Sequence, residues 1–338
     1  MKTILKYSLL LVLFYVAISC SKSEDNLPNN PSGSASSVTY IAGKEGNIPT
    51  LWENATPNEL ADGTYTASVF SVAVQNNDVY LAGFEKKNLT KKATLWKNGE
   101  AIDLSTNAFT SVATSVTIAN NDVYVVGYEF ETDADTFVAK MWKNGVVTNL
   151  TNGSHDAYAQ SITVINNDIY VAGYESLGAN TIAKLWKNGT AINLTDGSNE
   201  AEAYSVTVNN NDVYVVGMEF INGNEVAKLW KNGSTINLSD GNQHAKAIDV
   251  AVKNNNVYVV GYNGLKAVMW INGEIKALSA GSPIRDRALG IALDNVKPIV
   301  VGYVHDGNKY VATIWKDGTS TDLSDSSEDS YAWDIYLN

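Results

Sequence analysis

The sequence predicts an all-β fold: seven four-stranded antiparallel blades arranged as a β-propeller, the ring closed by the C-terminal strand joining the N-terminal blade. Three observations carry this. A strand glycine recurs as Gly43, Gly83, Gly127, Gly173, Gly217, Gly261 and Gly302. A tryptophan recurs in the same seven units as Trp52, Trp96, Trp142, Trp186, Trp230, Trp270 and Trp315. Self-similarity at a period of a few tens of residues marks solenoids and propellers. The third observation separates these two. Tyr331–Leu337 aligns with the first strand of a repeat, such as Tyr204–Val208, whereas Val38–Gly43 aligns with the second strand, Asp78–Gly83. One blade is therefore split between the chain ends, which closes a ring and hides a free sheet edge. A linear solenoid would gain nothing from that cut and would carry distinct caps.

Each element follows from local chemistry, here over Ala203–Leu238. Tyr204–Val208 and Val213–Gly217 are rich in β-branched and aromatic residues and read as strands around a turn, Asn209–Asp212. Val226–Lys231 is a third strand. Asn232-Gly233 is a strong hairpin signal, because a type I′ turn needs φ > 0 at both central residues. Thr235–Leu238 completes the blade. Each tryptophan precedes the next glycine by 31 residues, or 32 from Trp270 to Gly302, while the glycine-to-tryptophan gaps are 9, 13, 15, 13, 13, 9 and 13. Length variation is confined to one connection per repeat. The aromatic series Tyr80, Tyr124, Tyr170, Tyr214 and Tyr258 and the seven tryptophans are expected to pack blade against blade. The glycines are expected to allow close backbone approach or a bulge.

The N-terminus reads as a secretory signal over residues 1–19: charged at Lys2 and Lys6, then apolar over Tyr7–Ile18, too short to span a bilayer as a helix. Ala17-Ile18-Ser19-Cys20 resembles a bacterial lipobox, with Ala17 where Leu is commoner. The resemblance implies lipidation at Cys20 and a membrane anchor. No second cysteine exists, so an internal disulfide is excluded. Residues 20–36 are polar and rich in Pro, Ser and Asn, and read as a flexible tether to a propeller over 37–338. Glu24 and Asp25 resemble the surface-export signal of Bacteroidota lipoproteins, which implies an outer-membrane lipoprotein exposed on the cell surface. The net charge of −12, about −14 once Lys2 and Lys6 are removed, argues against nucleic acid. Residues 38–338 resemble kelch-type and other seven-bladed propellers, although Gly127 is followed by Tyr128 where kelch repeats carry a second glycine.

Connections alternate between two faces of a blade. The Asn-Asn-Asp and Lys-Asn-Gly turns share one face; the glycine-to-tryptophan segments and the Leu-Ser-Asp-Gly type loops share the other. The variable face is the candidate binding face, since loops on a rigid scaffold carry function. Glu45, Glu85, Glu129, Glu175 and Glu219 are near-repeated there and read as solvated scaffold charge before a cation ring. Asn152-Gly153-Ser154, Asp196-Gly197-Ser198 and Asp240-Gly241-Asn242 lack the ligand alternation of an EF-hand and read as Asx turns. No metal or other cofactor is expected.

The sharpest break in the pattern is Ser282-Pro283-Ile284-Arg285-Asp286-Arg287, which holds the only two arginines, at the start of the seventh blade. The inserts of both flanking blades are four residues shorter than usual, which suggests an open notch. Arg285, Arg287, His305, His244, Tyr331 and Trp333 are the candidate ligand-binding residues there: arginine suits bidentate recognition of carboxylate or sulfate, and aromatics stack on sugar faces. The competing reading is sequence drift near the ring closure. The histidines, His155, His244 and His305, lie in no metal motif, and no Gly-x-Ser-x-Gly elbow occurs, so no catalytic residue is assigned. The expected role is a monomeric, lipid-anchored binding platform, more in keeping with binding than catalysis, for a glycan or an envelope protein. The alternatives are a lyase-like enzyme acting on polysaccharide and a purely structural repeat lipoprotein.

Overall fold

A computed structural model describes residues 38–106, 109–281, 284–325 and 327–338. The expected signal segment, Cys20 and the tether lie outside the described residues. Blade 1 combines Ser330–Leu337 with Thr39–Glu45, Ile48–Glu53 and Thr56–Glu59, in that order from the axis outward. Blades 2 to 7 follow in sequence over residues 66–103, 111–149, 157–193, 201–237, 245–277 and 287–322. Each is a four-stranded antiparallel sheet in simple order. The first strands of successive blades touch one another all round, including Ser330–Leu337 against Thr66–Gln75, so the ring is closed. At the split, Val38 and Asn338 exchange backbone hydrogen bonds of 3.1 and 3.0 Å where an Asn-Asn turn would otherwise sit.

The turns follow the expected chemistry. Asn76-Asn77, Asn120-Asn121, Asn166-Asn167, Asn210-Asn211 and Asn254-Asn255 all have φ > 0 at both positions, as do the hairpin pairs Asn98-Gly99, Asn144-Gly145, Asn188-Gly189, Asn232-Gly233 and Asn272-Gly273. Lys97, Lys143, Lys187 and Lys231 on this face each pair with the aspartate of the neighbouring turn, as Lys231 does with Asp212 at 2.8 Å, and lie over the scaffold tyrosine. The glycine-to-tryptophan segments differ from expectation: they are hairpin extensions and not loops. The second strand of blade 5 continues past Gly217 to Ile221, turns at Asn222-Gly223 and returns from Asn224. Adding a rung adds two residues, which is why the gaps 9, 13 and 15 differ by even numbers.

The core lies between blades. Trp230 of blade 5 packs on Tyr170, Ala172 and Leu185 of blade 4, and Trp270 of blade 6 on Tyr214, Val216 and Leu229 of blade 5. Among the described residues seven such clusters occur, one per interface, the last joining Trp52 of blade 1 to Ile299 and Val301 of blade 7. The seven indole N–H groups find no acceptor among the described residues. A buried unpaired donor costs about 1–3 kcal/mol. Burying roughly 200 Å² of indole at about 25 cal/mol/Å² contributes about 5 kcal/mol, so packing wins.

The glycines do both things expected of them. A Cβ at Gly217 would lie 1.9 Å from the carbonyl oxygen of Glu202, and the other six glycines meet the first strand at 1.9–2.0 Å. Opposite each glycine the first strand bulges, so that Phe70, Thr114, Gln160, Tyr204, Ile248, Leu289 and Trp333 are left without a ladder partner. Gly217→Ala is therefore expected to cost about 2–3 kcal/mol, read as a lowered urea midpoint. A change within about 0.5 kcal/mol would contradict the close-approach account.

Candidate functional site

The bulges turn side chains towards the axis. A cavity of about 430 Å³ is lined by all seven blades, with Phe70, Thr114, Gln160, Tyr204, Ile248, Leu289 and Trp333 among its walls. It sits at the variable-face end of the channel, because these residues fall in the first half of strands that start on that face. Below them is a second ring, one residue on: Ser71, Ser115, Ser161, Ser205, Asp249, Gly290 and Asp334.

This lower ring ties blades together. Ser71 Oγ accepts from Val116 N of the next blade at 3.2 Å, and Ser161 Oγ from Val206 N at 3.4 Å. Asp249 accepts from Val250 N, from Ile291 N of blade 7 and from Ser205 Oγ, at 2.8, 2.9 and 2.7 Å. Asp334 accepts from Ile335 N at 2.8 Å and Val72 N of blade 2 at 2.9 Å. Gly290 has no side chain to offer Ile335, and Asp334 supplies both bonds itself. Desolvation, then the Asp249 charge, push Asp334 up from 3.8 to about 7; desolvation also raises Asp249.

Above the cavity the mouth is aromatic. In three blades the residue after the strand glycine packs against the next blade's first strand: Tyr128 on Tyr158 at 4.9 Å, Tyr303 on Tyr331 at 5.0 Å, Tyr262 under the Arg287 guanidinium at 3.6 Å. Tyr331 stacks on Trp333 with centroids 5.5 Å apart and planes 11° apart, and Trp333 meets Phe70 edge-on. Blades 5 and 6 add polar groups. Lys246 Nζ lies 3.1 Å from Glu225 and 2.8 Å from Tyr204 Oη, while Tyr262 Oη donates to Glu225 at 2.9 Å and Tyr204 Oη donates to Glu202. Burial pushes both phenols up, Tyr204 well above its ordinary value.

The six candidate residues are only partly brought together. Arg287, Tyr331 and Trp333 stand in the channel mouth, and Trp333 lines the cavity itself. Arg285 is exposed at the rim. His305 is held by its own turn, Nδ1 accepting from Gly307 N at 3.1 Å. His244 is exposed, its Nδ1 accepting from Glu225 N at 3.2 Å. The expected open notch is corrected. The short hairpin of blade 6 does leave a hollow, but Asn263, Leu265, Lys266 and Gly281 line it and none of the six does. Ser282 and Pro283 lie outside the described residues. The reading of the glutamates as solvated charge also fails. Glu129 is fully buried against Lys140 at 2.9 Å and Thr106, and Glu175 and Glu219 pair with Lys184 and Lys228 at 2.7 Å. The Asx loops are as expected: Ser154 N, Ser198 N and Asn242 N donate to the side chains of Asn152, Asp196 and Asp240. No group of three or more metal-ligating side chains occurs among the described residues.

No protein-family model matches the sequence, and no curated protein matches it. Solved structures do. A crystal structure of TolB from Acinetobacter baumannii is similar over 88% of this chain and 82% of that one, with 10% identity and a TM-score of 0.51. That likeness shows the fold alone: a β-propeller. A chain of a nidogen/laminin complex is similar over 72% of this chain and 94% of that one, at 10% identity and a TM-score of 0.46, too distant to carry an argument.

Asp334 generates a pH prediction. Its proton is held more tightly in the folded chain than in the unfolded one, so its contribution to stability is full below about pH 4 and is lost as pH rises to about 7. The stability of the parent protein relative to Asp334→Asn should therefore fall across that window in urea titrations. A flat or rising difference would contradict the assignment.

Proposed function

We propose that this protein is a lipid-anchored binding platform of the bacterial envelope that holds a glycan in the mouth of its central channel. The observation that carries this reading is the continuous aromatic wall formed by Tyr303, Tyr331, Trp333 and Phe70 above a cavity of about 430 Å³. Small-ligand sites are concave, of this size, and mostly apolar with a few placed polar groups. Aromatic faces of this kind suit the C–H faces of sugar rings, and Tyr204, Gln160 and the serines supply hydrogen-bonding groups. A propeller suits the role, because rigid blades hold side chains from seven separate segments around one axis.

Binding is favoured over lyase chemistry by the state of the candidate bases. Tyr204 and Tyr262 donate to Glu202 and Glu225 and burial keeps them protonated. The Nδ1 atoms of His244 and His305 are both taken by backbone N–H groups. A protein partner is the second reading, favoured by exposed apolar side chains on the same face: Leu89, Phe109, Leu177, Phe220, Leu265 and Ile284. The anchor is proposed at Cys20, with residues 20–36 as tether and the propeller displayed from the outer membrane at the cell surface.

Detergent-solubilised protein should retain soluble polysaccharide saturably, and Trp333→Ala should weaken retention at least tenfold without lowering the unfolding free energy from urea titration by more than about 1 kcal/mol. Retention unaffected by Trp333→Ala would remove the channel mouth as the site. Cys20→Ser should move the protein from the membrane to the soluble fraction; continued membrane residence would refute the anchor.

A further inference from the structure

Arg287 is only 6% exposed, and its charge has no carboxylate partner among the described residues. Its Nη1 donates to the backbone oxygens of Asp286 at 2.7 Å and Gly264 at 3.5 Å, and its plane lies on Tyr262. The nearby carboxylates are engaged elsewhere. Glu225 is held by Lys246 and Tyr262, and Asp286 accepts from His305 N at 3.1 Å. A buried guanidinium without an ion pair is costly to a fold. It is unexpected in a chain with 36 acidic and 24 basic residues.

A second cation stands on the other side of the same aromatic wall. Lys44, the residue after Gly43, is half-buried with Nζ 5.2 Å from the Tyr331 ring, and it too forms no ion pair among the described residues. Asp329, the acid whose charge it feels, accepts from Tyr310 N at 2.9 Å. Arg285 adds a third positive charge at the rim, close enough to act on Tyr262 and Tyr303 together with Arg287. Going round the mouth, the order is Tyr262, Arg287, Tyr303, Tyr331, Lys44. Stacking surface is thus bracketed by two cations that form no ion pair among the described residues.

We infer that the channel mouth is specific for a saccharide bearing carboxylate groups, a uronic-acid polymer. Its sugar rings stack on Tyr303, Tyr331 and Trp333, and its carboxylates are met by Arg287 and Lys44 with Arg285 at the rim. This rests on the glycan-binding reading above and narrows it. The remaining Arg287 N–H donors suit a planar carboxylate, and charge-assisted bonds of this type are about twice as strong as neutral ones. Low solvent access limits screening, so the interaction should survive moderate salt better than a surface contact.

The test compares three polymers on full-length, detergent-solubilised protein: a uronic-acid polymer, the same polymer with its carboxyls reduced to alcohols, and a sulfated neutral polymer. The uronic-acid polymer should bind at least tenfold more tightly than its reduced form and than the sulfated one. Arg287→Met keeps the stacking volume and should abolish the preference between the first two. Lys44→Met, at a less buried position, should reduce it several-fold, and keeps the proposal testable if Arg287→Met fails to fold. Equal binding of parent and reduced polymer, or tighter binding of the sulfated one, would overturn the proposal while leaving glycan binding intact. No binding of any polymer would overturn both readings.

Discussion

The structure depends on seven places where a glycine lets two strands come closer than any side chain would allow. A Cβ at any of these positions would fall within 2.0 Å of the first strand's carbonyl oxygen. That approach accommodates a bulge, and the bulge does two things. It increases the local twist of the innermost strand, and it turns one side chain per blade to the axis. The channel's walls, from Phe70 round to Trp333, are therefore a by-product of backbone sterics. The scaffold fixes where a channel residue must be; it leaves free what that residue is.

This separates the chain into repeated and individual parts. The tight face, with its Asn-Asn and Asn-Gly turns and lysine–aspartate pairs, is scaffold, and so are the interblade tryptophans. Individuality resides in the first strands. At the bulge the seven blades differ completely: phenyl, hydroxyl, amide, phenol, two aliphatics and an indole. One residue on, four serines give way to Asp249, Gly290 and Asp334 in adjacent blades. Each carboxylate bonds its own strand and the next blade's, and Asp334 thereby takes the Ile335 N–H that Gly290 has no side chain to meet. The neighbouring arginine also belongs to blade 7, so the ring is least regular, chemically, near its closure.

Much of this was legible in the sequence. The glycine and tryptophan series, the Asn-Gly turns and the phase of the chain ends specify seven blades and the split one, because each is a local steric or periodic constraint. The site was legible in part. Arg287 stands out because blade 7 breaks the loop pattern, and Tyr331 and Trp333 because they enter the blade after it; the three stand together at the channel mouth. His244 and His305 were drawn in by the same break, but their rings serve their own turns or face solvent at the rim. What was missed required knowing which residues bulge. Phe70, Tyr204, Asp249 and Asp334 stand in aligned first strands, and comparing those strands position by position reveals the serine series and its interruption. Glu129 and its relatives were misread because their lysine partners lie on the third strand, two residues before each tryptophan, a spacing meaningful only once the hairpin register is known.

The central claim is that the ligand enters along the propeller axis from the variable face. A crystal structure of the protein with a bound oligosaccharide tests it most directly. The account predicts a sugar ring against Tyr331 and Trp333, reaching towards the cavity lined by Phe70 and Tyr204. A ligand seated on the Asn-Asn turn face, on the outer strands or in the hollow beside Leu265 would contradict it.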